Sequence, residues 1–373
     1  MKMTPALEKK YSKDKMHVVE AMRRAHELSY APITFQVSRL MVKFGILQLL
    51  VDSKDGLTMD EIVAKTKLSH YAVQVLLEAS LSIGTVLFVD ERFVISKLGW
   101  FVLSDPLVAV NFALNHDVTY QGMFYLEEAL LKGKPEGLKV FGTWKTIYEG
   151  LSSLPENAQK SWLAFDHFYS DNAFDEALQI VFSYSPKTLL DVGGNTGRWA
   201  MRCVEFNENV AVTIMDLPQQ LEMMNKQIAG KNGSERIFGY AADLLDQHSP
   251  FPKGFDAIWM SQFLDCFSEE EIVSILERAV ESMNRESALF IMETLWDRQH
   301  NETAAFSLTH ISLYFTAMAN GNSKMYHSDD LIRCVKAAGL TVEKIHDGLG
   351  NGHSILVCKK QDIMSNKTDI SCN

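Results

Sequence analysis

Thr188-Leu189-Leu190-Asp191-Val192-Gly193-Gly194-Asn195-Thr196-Gly197 decides how this chain is read. A short β-type apolar run ends in an acid and then breaks into a glycine-dense turn. A helical pattern follows at once, with Trp199, Ala200, Met201, Cys203 and Val204. Strand, tight loop and helix start form the junction at which open α/β sheets place their ligands. Glycine lets the backbone turn sharply and approach a bound molecule where a Cβ would collide.

Outward from this stretch, strands and helices alternate. Strands are expected over 188–192, 211–215, 237–241, 257–260, 288–292, 341–345 and 354–358, and helices over 199–205, 221–228, 269–283 and 329–338. Such alternation implies a mainly parallel sheet with helices on both faces, an α/β fold. The last two strands follow each other through 347–352 without a helix, so they form a hairpin and give the sheet one antiparallel edge strand.

The first third reads differently. Residues 5–30 and 33–50 carry helical patterns, and Thr58 with Glu61 has the Thr-x-x-Glu form of a capping box. Ser69 opens a further helix that Gly84 ends. Two β-like runs, 86–89 and 93–95, flank Asp90-Glu91-Arg92. Helices followed by a hairpin suggest a winged-helix arrangement. To read DNA, its third helix would need Arg, Lys, Asn or Gln in the major groove. The stretch His70 to Ala79 has no Lys or Arg and much apolar surface, so burial against a partner chain is the better use. Residues 1–105 form this region, and 106–180 read as linking helices. Within them Trp162, Phe165, Phe168, Tyr169 and Phe174 make an aromatic stripe suited to a buried helix face, with one or two side chains free to meet a ligand.

With 373 residues the chain has room for two cores. Acids outnumber bases 47 to 36, for a formal charge of −11, which disfavours nucleic acid and anionic lipid as partners. The first fifteen residues are charged and have no apolar core, unlike a signal peptide. The stretch 303–323 is weakly charged but interrupted by Ser, Thr, His and Asn, so it reads as a buried helix and no membrane span is expected. Five scattered cysteines (Cys203, Cys266, Cys334, Cys358 and Cys372) without a C-x-x-C pair fit reduced thiols in a cytoplasmic protein. The polar tail 361–373 is expected to be disordered.

The glycine spacing excludes two cofactor classes. Glycines at 193, 194 and 197 do not fit G-x-G-x-x-G, and no Lys-Ser/Thr follows as in a P-loop. Asp216 ends the second strand and Asp243 follows the third. A carboxylate at the first of these places accepts hydrogen bonds from ribose hydroxyls. The residues suit a nucleoside without phosphates; the alternative is that both acids are solvated loop residues.

Taken together, Asp191 to Gly197, Asp216-Leu217-Pro218 and Asp243-Leu244 resemble the successive cofactor motifs of S-adenosylmethionine-dependent O-methyltransferases. The similarity is to the dimeric group that includes plant caffeate and isoflavone, melatonin-forming and bacterial polyketide enzymes, and it covers nearly the whole chain. It implies a Rossmann-like, seven-stranded methyltransferase domain over 181–360, preceded by a winged-helix dimerisation domain in a homodimer. It also implies S-adenosylmethionine as cofactor and a hydroxylated aromatic or polyketide-like small molecule as methyl acceptor. By this resemblance Asp191, Gly193, Gly194, Asn195 and Gly197 form the cofactor loop, with Gly193 and Gly194 against the methionine moiety. Asp216 takes the ribose, Leu217 belongs to the same cofactor-binding set, Asp243 and Leu244 flank the adenine, and Ser261 stands near the cofactor. Asn195 replaces the family's usual third glycine; Asn tolerates a left-handed backbone, so the turn survives.

The catalytic set departs further. Where the family has Leu-His-Asp-Trp-Ser-Asp-Glu after the fourth strand, this chain has Leu264-Asp265-Cys266-Phe267-Ser268-Glu269-Glu270. Asp265 thus replaces the general-base His, Glu293 matches the family's Glu at the end of the fifth strand, and Met325 replaces a second one. Asp265 can serve as base if burial beside Glu293 raises its pKa. His310 is a second candidate base or a core histidine. Phe165, Tyr169, Phe306, Tyr314, Phe315 and Met318 suggest an aromatic acceptor pocket, and Asn320 matches a substrate-contacting position. No residue pattern points to a metal ion. Two other readings stay open: a relative that binds the cofactor but runs decarboxylation or hydroxylation, and a cofactor-sensing winged-helix regulator.

Overall fold

The structure, a computed structural model, describes residues 11–361, so 1–10 and 362–373, including Cys372 and nearly all of the expected disordered tail, lie outside the described residues. The chain divides into two compact units, with the boundary between Val118 and Thr119.

The N-terminal unit holds helices Val18–Ser29, Ala31–Lys43, Ile46–Val51, Met59–Thr66 and His70–Ile83, then strands β1 (Val86–Val89) and β2 (Arg92–Ile95), then helices Lys97–Ser104 and Pro106–Leu114. The single expected helix over 33–50 is two, because Gly45 takes φ +73 and breaks it. The capping box forms: Glu61 N–H donates to Thr58 Oγ1 at 3.3 Å and Thr58 N–H to Glu61 Oε2 at 2.8 Å. Arg92 Nη1 then donates to that same Oε2 at 2.9 Å, which ties the hairpin to the helix start. Asp90 and Glu91 both have positive φ, the left-handed pair that a two-residue hairpin turn demands. Met41, Ile46, Leu47, Ile62, Val73 and Leu77 pack this unit's core. The Val18–Ser29 helix buries none of its residues: Val18 is 82 % and Leu28 77 % exposed.

The C-terminal unit is built on a seven-stranded sheet. Its strands are β3 (Thr188–Val192), β4 (Ala211–Asp216), β5 (Ile237–Ala241), β6 (Ala257–Ser261), β7 (Ala288–Glu293), β8 (Leu340–Leu349) and β9 (His353–Lys360). Their spatial order is β5-β4-β3-β6-β7-β9-β8. The first five are parallel, and β9 runs antiparallel to both β7 and β8. The antiparallel strand therefore lies one place in from the edge, because the second arm of the hairpin, not the first, reaches β7. Alternation along β3 serves both faces: Leu189 packs with one helical layer, Leu190 and Val192 with the other. The chain leaves β3 towards β4 and β5, then crosses back to β6. This reversal makes the C-terminal end of β3 the topological switch point, where such sheets open a crevice.

Candidate active site

The turn after β3 sits at that crevice. Gly193, Asn195 and Gly197 take φ of +72, +49 and +80, so the left-handed reading of Asn195 holds. Gly193 N–H donates to the Met215 carbonyl at 2.9 Å, which clips the turn to the end of β4. Asp216 then accepts from Asn195 N–H at 2.9 Å and Leu217 N–H at 2.7 Å. The glycines also admit close approach by the protein's own side chains. A Cβ at Gly194 would lie 2.5 Å from Asp191 Oδ2, and one at Gly193 2.3 Å from the Phe263 ring.

One continuous cavity of about 240 Å³ opens here. A single water needs roughly 10–15 Å³, so this space suits an organic ligand. Asp191, Gly193, Gly194, Asn195, Asp216, Leu217, Asp243, Leu244 and Ser261 all line it. Gly197 does not; it starts the Arg198–Phe206 helix. At the other end the lining is Tyr148, Trp162, Phe165, Tyr314, Phe315 and Met325, with Asp265 and Cys266 beside them. The sequence thus brings together a strand-end set and an aromatic chamber contributed by segments far apart in the chain.

Four residues expected at the acceptor end are placed elsewhere. His310 is exposed and its Nδ1 meets the Phe306 carbonyl of its own helix at 2.7 Å. The buried face of that helix, Glu302–Tyr314, runs through Ala305, Leu308, Ile311 and Tyr314, and His310 is one step out of phase. Phe306, 61 % exposed, is out of phase too. Tyr169 is buried one turn beyond Phe165, against whose ring it packs with centroids 5.0 Å apart, rather than lining the cavity. Met318 packs over Gly122 and Gly137 instead.

Asn320 and Glu293 do not line the cavity either; both brace the loop that carries Asp265. Asn320 Nδ2 donates to the Cys266 carbonyl, and Ser323 Oγ holds the Asn320 amide oxygen at 2.8 Å. Glu293 Oε1 accepts from Phe263 N–H at 3.1 Å and Leu264 N–H at 2.8 Å. Tyr326 completes the brace by donating to the Phe267 carbonyl at 2.6 Å.

The carboxyls around the cavity share one electrostatic condition. Burial, with Asp216 nearby, pushes Asp191 up to about 8, and burial lifts Asp216 itself to about 6 against the pull of its two N–H donors. Burial raises Asp265 to about 7, with Asp166 adding to the rise, and holds Glu293 well above the usual carboxylate range beside Asp265. Asp166, half-buried at the surface but with its carboxyl turned into the cavity, is likewise raised by burial to about 7. Arg198 also lines the cavity, but it is paired with Asp171. Asp191 Oδ2 and Ser261 Oγ are buried and have no hydrogen-bond partner among the described residues. Desolvated acids and two orphaned oxygens favour a ligand that carries positive charge and hydroxyl donors. A nucleoside sulfonium has both.

Asp166 and Tyr148 were not foreseen from sequence. Asp166 had a signal: it is an acid between Phe165 and Phe168 in an aromatic stripe, and Asn195 Nδ2 donates to it at 3.4 Å. Tyr148, which lines the cavity with Cys266, comes from the short Ile147–Gly150 helix and had none. Among the described residues no group of three or more His, Cys, Asp or Glu is arranged to hold a metal ion, and no single helix is long and apolar enough to cross a membrane.

Comparison with known proteins agrees with this geometry. Residues 22–93 match the model of a Dimerisation2-like domain, and residues 124–340 match that of the O-methyltransferase domain. The L-tyrosine C(3)-methyltransferase of Streptomyces lavendulae is 22 % identical over 337 residues, covering 87 % of this chain and 89 % of the relative. The acetylserotonin O-methyltransferase of Gallus gallus is 24 % identical over 309 residues, covering 77 % and 87 %. The structure of the mitomycin 7-O-methyltransferase superposes with a TM-score of 0.68 at 17 % identity, covering 91 % of this chain and 98 % of that one. With the O-methyltransferase domain model matching more than half of this chain, the chain belongs to the O-methyltransferase family.

Proposed function

We propose that this protein is a homodimeric, S-adenosylmethionine-dependent methyltransferase that methylates a hydroxyl group of an aromatic or polyketide-like small molecule. The observation that carries the reading is one continuous cavity, with strand-end acids at one end, an aromatic chamber at the other and Asp265 on its wall. When bound, S-adenosylmethionine supplies an electrophilic sulfonium methyl that passes to the acceptor oxygen.

Every other part of the chemistry belongs to this chain. Asp216 and Asp243 hold the ribose and adenine end, with Leu217 and Leu244 as apolar flanks. Asp191 and Ser261 line the path past Gly193 and Gly194. Asp265 is the general base: a carboxyl held near 7 is half-ionised at neutral pH, where proton transfer is most effective. It is 3 % exposed, so the proton it takes stays away from bulk water. Glu293, Asn320 and Tyr326 are positioning residues that fix the loop from behind. Such a base contributes roughly 10²- to 10⁴-fold, whereas holding the two reactants together supplies about 7–11 kcal/mol. The exchange of His for Asp is therefore compatible with turnover.

The exposed apolar face of the Val18–Ser29 helix and the Dimerisation2-like match support a homodimer through a winged-helix region. The charge of −11 and the helix over 70–79 without Lys or Arg favour a partner chain over nucleic acid. Free thiols at Cys203, Cys266, Cys334 and Cys358 suit the reducing cytoplasm.

The test is a calorimetric titration with S-adenosylhomocysteine, followed by incubation with S-adenosylmethionine and a panel of phenols, reading demethylated cofactor and methylated product. Binding together with a methyl ether product is expected. Tight binding with no transfer to any phenol would favour a relative with diverged chemistry. The C(3)-methyltransferase relative makes the product's connectivity worth measuring, since a product that keeps its phenol would assign carbon rather than oxygen.

A further inference from the structure

The acceptor chamber contains a hydrogen-bond donor that the protein itself leaves unused. Trp162 and Tyr314, 152 residues apart in sequence, meet in a buried bond in which Trp162 Nε1–H donates to the Tyr314 hydroxyl oxygen at 2.7 Å. An indole N–H can only donate, so this contact makes the Tyr314 oxygen the acceptor and leaves its own hydrogen for another partner. Among the described residues Tyr314 donates no hydrogen bond, although its side chain is only 5 % exposed. It lines the same cavity as Asp265, and it lies within electrostatic reach of Cys266, Asp166 and Asp265. Burying an unused hydroxyl donor costs free energy unless a group that enters the cavity accepts from it.

We infer that Tyr314 is a further catalytic residue of this site, donating its hydroxyl hydrogen to the reacting oxygen of the acceptor while Asp265 takes that oxygen's proton. This rests on the reading of the cavity as a methyl-transfer site. A hydroxyl group satisfies both neighbours, since it gives its hydrogen to the carboxylate and offers lone pairs to Tyr314. A neutral amine has a single lone pair, which the attack on the methyl group uses, so it cannot also accept from Tyr314 and the pair favours oxygen over nitrogen. During transfer the acceptor's O–H bond breaks towards Asp265 and the new O–CH₃ bond forms, while the electrons of the old C–S bond remain on sulfur. Negative charge gathers on the acceptor oxygen between these events, and a fixed donor aimed at that atom lowers the barrier. Trp162 supplies the fixing, because its N–H stops the Tyr314 hydroxyl from turning its lone pairs into the chamber.

Tyr314→Phe and Trp162→Phe test this together. For each, kcat/KM is measured with a more and a less acidic phenol, the dissociation constant of S-adenosylhomocysteine by calorimetry, and the ionisation of bound 4-nitrophenol by its phenolate absorbance. Tyr314→Phe is expected to lower kcat/KM roughly a hundredfold, more for the less acidic phenol, and to make bound 4-nitrophenol harder to ionise. Cofactor affinity should stay as in the wild type. Trp162→Phe keeps the hydroxyl but frees it to rotate, so its loss should be smaller, about tenfold. Unchanged kcat/KM and unchanged nitrophenol ionisation in Tyr314→Phe would overturn the inference. So would a loss in Trp162→Phe as large as in Tyr314→Phe, which would mark the pair as packing alone. Failure of the wild type to methylate any phenol with cofactor bound would instead overturn the functional reading, and this inference with it.

Discussion

The two ends of the cavity are built on different plans. The cofactor end is made by backbone at strand ends: three left-handed residues, a clip from Gly193 to β4, and an acid held by two N–H groups. The acceptor end is made by side chains from a short helix, a long helix, a loop and the end of another helix. The first plan depends on local geometry that few sequences satisfy. The second is assembled from segments far apart in the chain, and it is there that the proposed base, Asp265, stands beside Cys266. The difference teaches that a retained cofactor loop says little about the reacting groups that face it.

The comparison is broken most severely by Gly194→Ala. The new Cβ would lie 2.5 Å from Asp191 Oδ2 and 2.9 Å from Ile214, in a turn that has no room to move. A loss of about 1–3 kcal/mol of folding stability is expected, with cofactor binding weakened at least about tenfold. Calorimetry and thermal unfolding measure both.

A pH series separates the two ends without mutation. In the ligand-free protein Asp191 and Asp216 hold protons up to about 8 and about 6, and a bound cation favours their ionised forms. Each proton must leave on binding, so cofactor affinity should rise with pH between about 6 and 8 and level off above. The slope has an upper limit of about tenfold per pH unit per proton. Buffers of different ionisation heat should reveal the released proton.

Stability of the free protein should move the opposite way. Asp191 has a folded pKa of about 8, above the roughly 3.9 of an unfolded Asp. Its contribution is complete below the unfolded value and is lost as pH rises through the folded one, because the folded state binds more protons across that window. The melting temperature without cofactor should therefore fall from about pH 5 to 8, and saturating cofactor should reduce or reverse the trend.

The smallest expected effect is that of Asn320→Ala. It removes the bond to the Cys266 carbonyl and the one from Ser323, while Glu293 and Tyr326 still hold the loop. Turnover should drop several-fold and stability by about 1 kcal/mol, with cofactor affinity unchanged. A lost cofactor site in this variant would mean that the two ends are mechanically coupled.

What was legible in the sequence follows the same division. The turn from Asp191 to Gly197 and the acid at Asp216 could be read because strand, glycine and strand-end carboxylate are neighbours in sequence as well as in space. The acceptor end needed contacts over long separations. Trp162 with Tyr314 was invisible as a pair, and Glu293 read as catalytic because position alone does not say which way a carboxylate faces. His310 failed for a helical reason: in Glu302–Tyr314 apolar and small polar residues are spread around the whole helix, so the phase that buries Ile311 and exposes His310 is not marked. The hairpin of β8 and β9 was read correctly, yet which arm pairs with β7 is a tertiary choice.

The central claim, an intact cofactor end joined to an acceptor end whose base is now Asp265, is tested most directly in Asp265→Asn by measuring cofactor affinity and single-turnover methyl transfer on the same sample. The expected result is a dissociation constant within about twofold of the wild type and transfer slowed roughly 10²- to 10⁴-fold. Transfer at the wild-type rate, or loss of cofactor binding in step with transfer, would contradict it.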